Sequence, residues 1–312
     1  MTRWILRHRS YKCVLVPIVV ALAACSPRQF AERVALGSDT RARSAVAYGD
    51  DPRQRLDVYR PRAKPSSASV IVFLYGGRWT SGTRRDYAAL AGALTSRGWV
   101  VVIPDYRLYP EVRFPAWIDD GAKAVRWTFG NISRFGGDTT RVFVIGHSAG
   151  GHTAALLALD ETYLRSAGVR PGSVRGFVSI AGPVATTWTD RGDQAVMGPS
   201  ERWTATYPAT FIGGTEPPLL LLHGTGDKTV SYLNSVRLAS LIRERGGCAA
   251  VRTYPATGHI GIILAAMFPS LSSASVLDDI SRFVKNPAAG TCPAAGGLPN
   301  GASPRQPSPN DN

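Results

Sequence analysis

Between residues 45 and 285, short runs of apolar, largely β-branched residues alternate with longer stretches of helical pattern. Runs that are apolar throughout, rather than at every second position, are typical of strands buried on both faces. These runs predict strands at 70–75, 99–104, 142–146, 174–180, 218–223 and 250–254. The helix candidates lie near 84–97, 115–130, 149–159, 233–245 and 274–285. Such an alternation predicts a mostly parallel sheet with helices on both faces, joined by right-handed crossovers.

Two earlier segments, 44–49 and 55–60, are separated by a Gly-Asp-Asp-Pro turn and alternate more between apolar and polar residues. They predict an antiparallel edge hairpin, which brings the α/β sheet to eight strands. With 44% hydrophobic and 19% charged residues among 312, the chain can build a core, which excludes global disorder and a collagen-like structure. The net charge of +14 is mostly scattered arginine, so we read it as solvated faces and expect no nucleic-acid partner.

The N-terminal segment predicts export. Residues 1–13 are basic, and 14–24 form an apolar run that is too short to span a bilayer, since a span needs about 20 apolar residues. The run ends in Leu-Ala-Ala before Cys25, which resembles the lipobox of bacterial lipoproteins. That resemblance implies a signal peptide at 1–24, lipid on the Cys25 sulfur and a polar tether at 25–44. The alternative is a plain signal peptide with an incidental cysteine.

This reading implies a location and a redox environment. Acylated Cys25 would hold the protein on a lipid bilayer of the bacterial cell envelope, on the outer membrane facing the periplasm if the host is Gram-negative. Once Cys13 leaves with the signal, Cys248 and Cys292 remain in an oxidising compartment, where a disulfide between them is expected. The alternative is two free thiols. Residues 286–312, rich in Pro, Gly, Ala and Ser, predict a disordered tail behind a domain at 45–285.

A Gly-x-Ser-x-Gly pattern, Gly-His-Ser-Ala-Gly, centres on Ser148. The pattern alone is weak, but here it directly follows a predicted strand and opens a helix of small residues. Strand, tight turn and helix form the setting of a nucleophile elbow. Ser148 is therefore the predicted nucleophile. A serine that merely caps a helix is the structural alternative.

A serine hydroxyl needs a general base, itself oriented by a carboxylate. His259 follows the last predicted strand on a loop and is the candidate base, whereas His223, at a strand end, is interpreted as a packed residue. Asp227 lies in a Gly-rich loop after the strand at 218–223 and satisfies the chain order Ser, Asp, His. Asp190 and Asp193, in an irregular stretch, are alternative acids.

Backbone N–H groups must also stabilise the oxyanion. One is expected from Ala149, the residue after the nucleophile. A second source is the segment 75–79, Tyr-Gly-Gly-Arg-Trp, where a strand ends in a double glycine.

Taken together, these motifs resemble the α/β-hydrolase superfamily and, within it, the hormone-sensitive-lipase-like and feruloyl-esterase-like (BD-FAE-like) carboxylesterases. Further matches are Asp105-Tyr106-Arg107-Leu108 with Pro110-Glu111, Phe135-Gly136-Gly137-Asp138, the segment 223–227 and Gly258-His259. The resemblance implies an α/β-hydrolase fold over 45–285, with oxyanion N–H groups on Gly77 and Arg78. It also implies that Asp105, Arg107 and Glu111 form a structural ion-pair network. Tyr75 stands where the family usually has His, a residue that orients the oxyanion loop.

The function that follows is serine carboxylic-ester hydrolysis through an acyl-enzyme, on a small-molecule ester and without cofactor or metal. Only about 35 residues, 182–216, separate the sixth strand from the acid loop, so a minimal cap is expected. The cap carries Trp188, Trp203, Tyr207 and Phe211. An open pocket walled by aromatics favours short acyl or aryl esters. An amidase of the formamidase type or a peptidase could use the same triad, and a non-catalytic envelope binding protein on a decayed scaffold is the alternative from another class.

Overall fold

The computed structural model describes residues 40–63 and 65–292. Its centre is a sheet of eight strands in the order β1-β2-β4-β3-β5-β6-β7-β8. β2 runs antiparallel to its two neighbours, and all other pairs are parallel. The predicted eight-stranded, mostly parallel α/β sheet is confirmed. The strands are β1 (Thr40–Ala47), β2 (Arg55–Pro61), β3 (Ala68–Leu74), β4 (Val100–Pro104), β5 (Gly137–His147), β6 (Val174–Ile180), β7 (Leu219–Gly224) and β8 (Ala249–Tyr254).

The described residues also form eight α-helices. They are α1 (Ala88–Thr95), α2 (Ala116–Asn131), α3 (Ala149–Leu159), α4 (Glu161–Ser166), α5 (Arg191–Met197), α6 (Leu233–Glu244), α7 (His259–Met267) and α8 (Val276–Lys285). Helices α2, α3 and α4 pack together, whereas α1, α7 and α8 form a separate group. This separation agrees with helices on both faces, and it explains why β3 and β4 are buried along their whole length.

Two strands begin earlier than the apolar pattern predicts. β1 begins at Thr40, inside the segment expected to be tether, and β5 begins at Gly137 rather than at 142. The added residues are mostly polar, so an apolar-run criterion misses them. They are nevertheless paired through the backbone, Thr40 opposite Pro61 and Gly137 opposite Ala68. Strand pairing needs only N–H and C=O groups, which every such residue has.

Helices α4, α5 and α7 were not predicted, because each has only six to nine residues and offers little helical periodicity. The predicted lipidation site Cys25 and the signal peptide lie outside the described residues. Among the residues that the structure describes, no helix combines the length and hydropathy of a membrane span. The structure continues past the expected boundary at 285 to Cys292.

Candidate active site

Ser148 lies at a sharp turn between β5 and α3. Its φ of 55° and ψ of −118° are strained for a residue with a side chain. The two motif glycines make the turn possible: a Cβ on Gly146 would lie 2.0 Å from the Gly150 carbonyl oxygen, and a Cβ on Gly150 would lie 2.0 Å from the Leu74 carbonyl oxygen. The Gly-x-Ser-x-Gly pattern therefore has a steric cause, and it projects Ser148 from the carboxyl end of the central strand.

The structure brings the three predicted triad residues together. His259 Nε2 lies 2.9 Å from Ser148 Oγ, and His259 Nδ1 lies 2.7 Å from Asp227 Oδ2. Both distances are within hydrogen-bond range. His259 is the first residue of α7 rather than a loop residue, so the expectation of a loop position was wrong. The backbone at Gly258 turns into this helix and carries the imidazole over the end of the sheet.

Asp227 is held as a carboxylate. Burial raises its pKa, but hydrogen bonds from the Val230 N–H, from His259 and from the Thr229 N–H outweigh burial, so the net pKa is lowered. The two backbone N–H groups donate to Oδ1 at 2.8 and 2.9 Å, which leaves Oδ2 to face His259. Asp190 and Asp193, the alternative acids, both pair with Arg78 and take no part in this arrangement.

His223 lies behind Asp227 and is fully buried. Its Nε2 is 3.2 Å from Asp227 Oδ2 and 3.0 Å from the Val230 carbonyl oxygen. Because both neighbours are acceptors, Nε2 must carry the proton, and the Ser235 hydroxyl, 2.7 Å from Nδ1, then donates to that nitrogen. Burial lowers the pKa of His223, which favours this neutral form. The packed strand-end residue expected from the sequence therefore also contacts Asp227.

His147 connects the base to the oxyanion loop. Its Nε2 lies 3.2 Å from the carbonyl oxygen of His259, and its Nδ1 lies 3.3 Å from the Tyr87 hydroxyl. That hydroxyl accepts a hydrogen bond of 3.2 Å from the Gly76 N–H. Burial lowers the pKa of His147 to about 3, so the ring is neutral and can donate from one nitrogen and accept at the other. No motif pointed to Tyr87, because its role depends on a contact 60 residues away.

The segment after β3 forms a loop that is packed against Ser148. A Cβ on Gly76 would lie 2.9 Å from Ser148 Cβ. Gly77 has a φ of 138°, and Arg78 and Trp79 have φ values of 52° and 58°. Within the described chain, the N–H groups of Gly77 and Arg78 donate no hydrogen bond. Ala149 is the first residue of α3, and the N–H groups in the first turn of a helix have no helical partner. The N–H groups of Gly77, Arg78 and Ala149 are therefore available to donate hydrogen bonds to an oxyanion.

Arg53 supports this loop from behind. It donates to the Tyr75 hydroxyl at 3.0 Å, to the Gly82 carbonyl at 3.0 Å and to the Tyr106 carbonyl at 2.9 Å. Tyr75 is fully buried, and its ring stacks on Tyr106 with the centroids 4.5 Å apart. The Tyr75 hydroxyl therefore reaches the oxyanion loop through Arg53 rather than directly.

The predicted ion-pair network is divided into two separate groups. Asp105 binds Arg84, which also binds Asp57 at 2.7 Å. Arg107 binds Asp120 at 2.8 Å. Glu111 is exposed and belongs to neither group, so its expected place in the network was wrong. Asp120 is fully buried in α2, where it also accepts a hydrogen bond of 2.7 Å from the Gln54 side chain.

The family model for BD-FAE matches residues 56–242, which include Ser148, Asp227 and the oxyanion loop. The chain belongs to the BD-FAE family. The predicted resemblance to α/β-hydrolase carboxylesterases is thereby confirmed.

Similar proteins extend this assignment. Esterase LipC of Mycobacterium tuberculosis is 35% identical over 247 residues, covering 70% of this chain and 59% of the relative. The isoprenylcysteine alpha-carbonyl methylesterase ICME of Arabidopsis thaliana is 25% identical over 246 residues, covering 72% and 58%. The chain thus spans less than two thirds of the length of these curated relatives.

Solved structures share the fold. A truncated carbohydrate esterase from gut microbiota superposes with a TM-score of 0.68 at 21% identity, covering 80% of this chain and 96% of the other. Esterase B from Lactobacillus rhamnosis has a TM-score of 0.68 at 20% identity, with coverages of 86% and 93%. At such identities the likeness establishes the α/β-hydrolase fold of this BD-FAE chain.

The cap of this BD-FAE protein is short and aromatic. Trp188 stacks on Tyr207 with centroids 6.2 Å apart and meets Trp79 of the oxyanion loop edge-on at 5.9 Å. His152, fully buried next to the elbow, donates from Nε2 to the Thr206 carbonyl at 2.8 Å. Trp203 and Phe211 are partly buried and pack against the core. The cap is therefore docked onto the elbow and the oxyanion loop.

Cys248 and Cys292 are joined in a disulfide, which ties the end of the described chain to the residue before β8. In the described part of this BD-FAE chain, no cluster of three or more His, Cys, Asp or Glu side chains could hold a metal ion. A cavity of about 560 Å³ contains no triad residue; its walls include Leu159, Val174 and Pro218. These residues are at the opposite end of the sheet from Ser148.

Proposed function

We propose that this protein is a serine hydrolase of carboxylic esters that acts through an acyl-enzyme. The observation that carries the proposal is the hydrogen-bonded series Asp227, His259 and Ser148, with distances of 2.7 and 2.9 Å. In the first half-reaction Ser148 Oγ attacks the ester carbonyl while His259 Nε2 takes its proton. The tetrahedral oxyanion is stabilised by N–H groups of Gly77, Arg78 and Ala149, and His259 then protonates the departing alcohol.

In the second half-reaction water replaces the alcohol. His259 Nε2 takes a proton from that water, which attacks the acyl-enzyme, and the acid leaves as Ser148 regains its proton. Asp227 holds the imidazole with Nδ1 protonated and stabilises the imidazolium that forms in each half-reaction. Nothing in this sequence of steps consumes a cofactor.

Short acyl or aryl esters are the substrates that the site favours. The cap is brief, and its Trp188 is buried against Tyr207 and against Trp79 of the oxyanion loop, which supports a small site rather than a long acyl channel. The similar proteins are named esterases, and one is a methylesterase, which agrees with a small group on one side of the ester. Amide hydrolysis on the same triad is the second candidate.

A panel of p-nitrophenyl esters of rising chain length, feruloyl esters and N-formyl amides tests the proposal. We expect turnover of the short and aryl esters, and a loss of kcat of about three orders of magnitude or more in Ser148→Ala and His259→Ala, because triad members act as a unit. Asp227→Asn should also lower kcat strongly. Near-normal turnover in the Ser148 or His259 variant would contradict the mechanism, and faster cleavage of the amides would favour the second candidate.

We also propose that the chain is a lipoprotein anchored in a bacterial cell envelope through Cys25. The support is the basic segment, the short apolar run and the Leu-Ala-Ala-Cys sequence. Metabolic labelling with palmitate should mark the wild-type protein and not Cys25→Ser. Absence of label from the wild-type protein would refute the anchor.

A further inference from the structure

Four of the five exposed large apolar side chains of the described residues lie close together in the chain. The five are Leu233, Ile260, Leu264, Phe268 and Leu271, with exposed fractions of 57%, 58%, 46%, 40% and 84%. All except Leu233 lie within residues 260–271, immediately after the catalytic His259. Single exposed apolar residues are ordinary, whereas a contiguous group marks an interaction surface.

Helix α7 arranges these residues on one side. Ile260 and Leu264 are spaced by four, which places them on one helix face, and Phe268, four residues further on, directly follows the last helical residue. The opposite face, with Ile262 and Ala266, is buried against the domain. At a rise of about 1.5 Å per residue, this face extends roughly 14 Å from His259. Leu271 continues it in the turn Pro269–Leu271. We call Ile260, Leu264, Phe268 and Leu271 the α7 stripe.

The chain around the stripe carries no charge. Residues 259–277 include no Asp, Glu, Lys or Arg. A water-facing helix surface normally carries charged side chains, which would have to be desolvated if the surface entered an apolar environment. The α7 stripe can therefore enter such an environment without that penalty.

The sequence before Thr40 suggests which apolar environment this is. If Cys25 carries lipid, the chain from Cys25 to Thr40 spans at most ~50 Å when fully extended. Thr40 lies at the sheet end opposite Ser148, since β1 pairs with β2 and β2 with β4. Strands of this sheet are at most 11 residues long, or about 35 Å. The tether is therefore long enough for the end of the sheet that carries Ser148 to face the same bilayer.

We propose that the α7 stripe is a lipid-contact surface, which enters the headgroup boundary of the bilayer and holds the Ser148 site against it. The substrates of this site are then esters that reside in the membrane or partition into it. Because the anchored protein is already held at the membrane, contact between the stripe and the bilayer is an intramolecular step. A stripe too small to bind a free protein to vesicles can therefore still hold the anchored protein against the bilayer. The substrate statement rests on the ester hydrolysis proposed above, whereas the lipid contact rests on the Cys25 anchor proposed there.

Depth measurement on the full, lipidated protein in vesicles of phosphatidylethanolamine and phosphatidylglycerol tests the contact. Leu264→Cys, labelled with a nitrobenzoxadiazole dye, reports on the stripe, and Arg170→Cys, labelled likewise, is the control at the opposite end of the sheet. We expect quenching by doxyl-labelled lipid at position 264 and none at 170. A blue-shifted dye at 264 that doxyl lipid does not quench would mean that protein, either residues 26–39 or a second copy, covers the stripe. That outcome, or equal quenching at both positions, overturns the proposal.

Kinetics test the consequence for substrates. The Leu264→Ser/Phe268→Ser variant should hydrolyse dissolved p-nitrophenyl acetate normally but a vesicle-borne p-nitrophenyl octanoate about fivefold more slowly, because the lipid contact is weakened. Leu233→Ser, which removes an equally exposed side chain from another helix, should change neither rate. Equal losses on both substrates, or no loss on either, would overturn the proposal. Quenching at 264 in a wild-type protein that hydrolyses neither ester would refute the proposed function while leaving the lipid contact intact.

Discussion

Asp227 Oδ2 faces two imidazoles, His259 at 2.7 Å and His223 at 3.2 Å. Only His259 reaches Ser148, so His223 acts through the carboxylate and is a positioning residue. Its second partner, the Val230 carbonyl, belongs to the loop whose N–H groups also donate to Asp227. The loop, the acid and His223 are thus hydrogen-bonded into one unit beneath the base.

Replacing His223 should therefore damage catalysis without touching substrate. We expect His223→Leu to lower kcat about tenfold or more with little change in KM, since small displacements of catalytic groups are costly. His223→Gln, whose amide can donate from a similar position, should recover part of the loss. A Leu variant with wild-type kcat and an unchanged melting temperature would show that Asp227 is held by Thr229 and Val230 alone.

Tyr75 tests how the oxyanion loop is held. Tyr75→Phe removes one acceptor of Arg53 but leaves its bonds to Gly82 and Tyr106, so we expect a loss in kcat of about fivefold or less, because only one of three supporting hydrogen bonds is lost. Because the tetrahedral oxyanion is affected, KM should stay constant. Steady-state kinetics on p-nitrophenyl acetate measure both. An unchanged kcat would mean that the hydroxyl does not hold the loop.

Ion pairs connect two elements, the cap and the oxyanion loop. Arg78 Nη2 lies 2.6 Å from Asp190 Oδ1 and 2.9 Å from Asp193 Oδ1, while Asp190 also caps α5 by accepting from the Gly192 N–H. A hydrogen bond to Asp193 raises the pKa of Arg78 against the opposing effect of burial. The residue proposed to donate its N–H to the oxyanion is thus tied to the cap by its side chain.

Asp193→Asn should weaken this connection. The Arg78–Asp193 pair is partly exposed, and such pairs contribute little free energy, so we expect kcat/KM to fall only about threefold. Because salt screens the pair, raising the salt concentration should reduce the activity of the wild type more than that of the variant. Asp278→Asn breaks another exposed pair, with Arg97 at 2.8 Å, far along the chain from the loop. If both variants lose activity equally, the effect does not come from the cap.

For the whole molecule, the disulfide closes a large loop. Cys248 and Cys292 are separated by 44 residues, and the closed loop includes β8, α7 and α8. Cross-linking so many residues restricts the unfolded chain by about 4 kcal/mol as an upper value. Cys248→Ser/Cys292→Ser should therefore lower the free energy of unfolding in urea, and dithiothreitol should destabilise the wild type but not the variant. Two reactive thiols in the folded, unreduced wild type would contradict the bridge.

Buried histidines set the response of the whole fold to acid. Burial lowers the pKa of His147 to about 3 and that of His152 to about 4, below the value near 6.5 of an unfolded histidine. Between pH ~6.5 and these lowered pKa values, the unfolded chain binds more protons than the folded chain. The contribution of the two histidines to the free energy of unfolding is therefore complete above pH ~6.5 and falls as the pH is lowered. We expect each ring to contribute a slope of about 1.4 kcal/mol per pH unit. Urea unfolding from pH 7 to pH 4.5 measures it, and His152→Gln should reduce the slope; an unchanged slope would refute this origin.

Much of the framework was predictable from the sequence because its causes are local. The buried stretches of the central strands are apolar, since both of their faces are covered by helices. The elbow needs Gly146 and Gly150, because any side chain there would collide with backbone oxygens 2.0 Å away. Chain order then selected Asp227 and His259 as the partners of Ser148, and the structure brings these residues within hydrogen-bond distance.

Only the tertiary structure decided how these parts are supported. The contact between Arg53 and Tyr75 joins residues that are 22 positions apart, and the contact between Tyr87 and His147 joins residues that are 60 apart. A single long-range hydrogen bond of this kind leaves no periodicity or motif in the chain. Burial likewise depends on packing: α7 hides one apolar face and exposes another of similar composition, a difference that hydrophobicity alone cannot show. Local patterns therefore specified the elements and the strained turn at Ser148, whereas the hydrogen-bonded support and the exposed stripe required the folded arrangement, because both arise from contacts between distant segments.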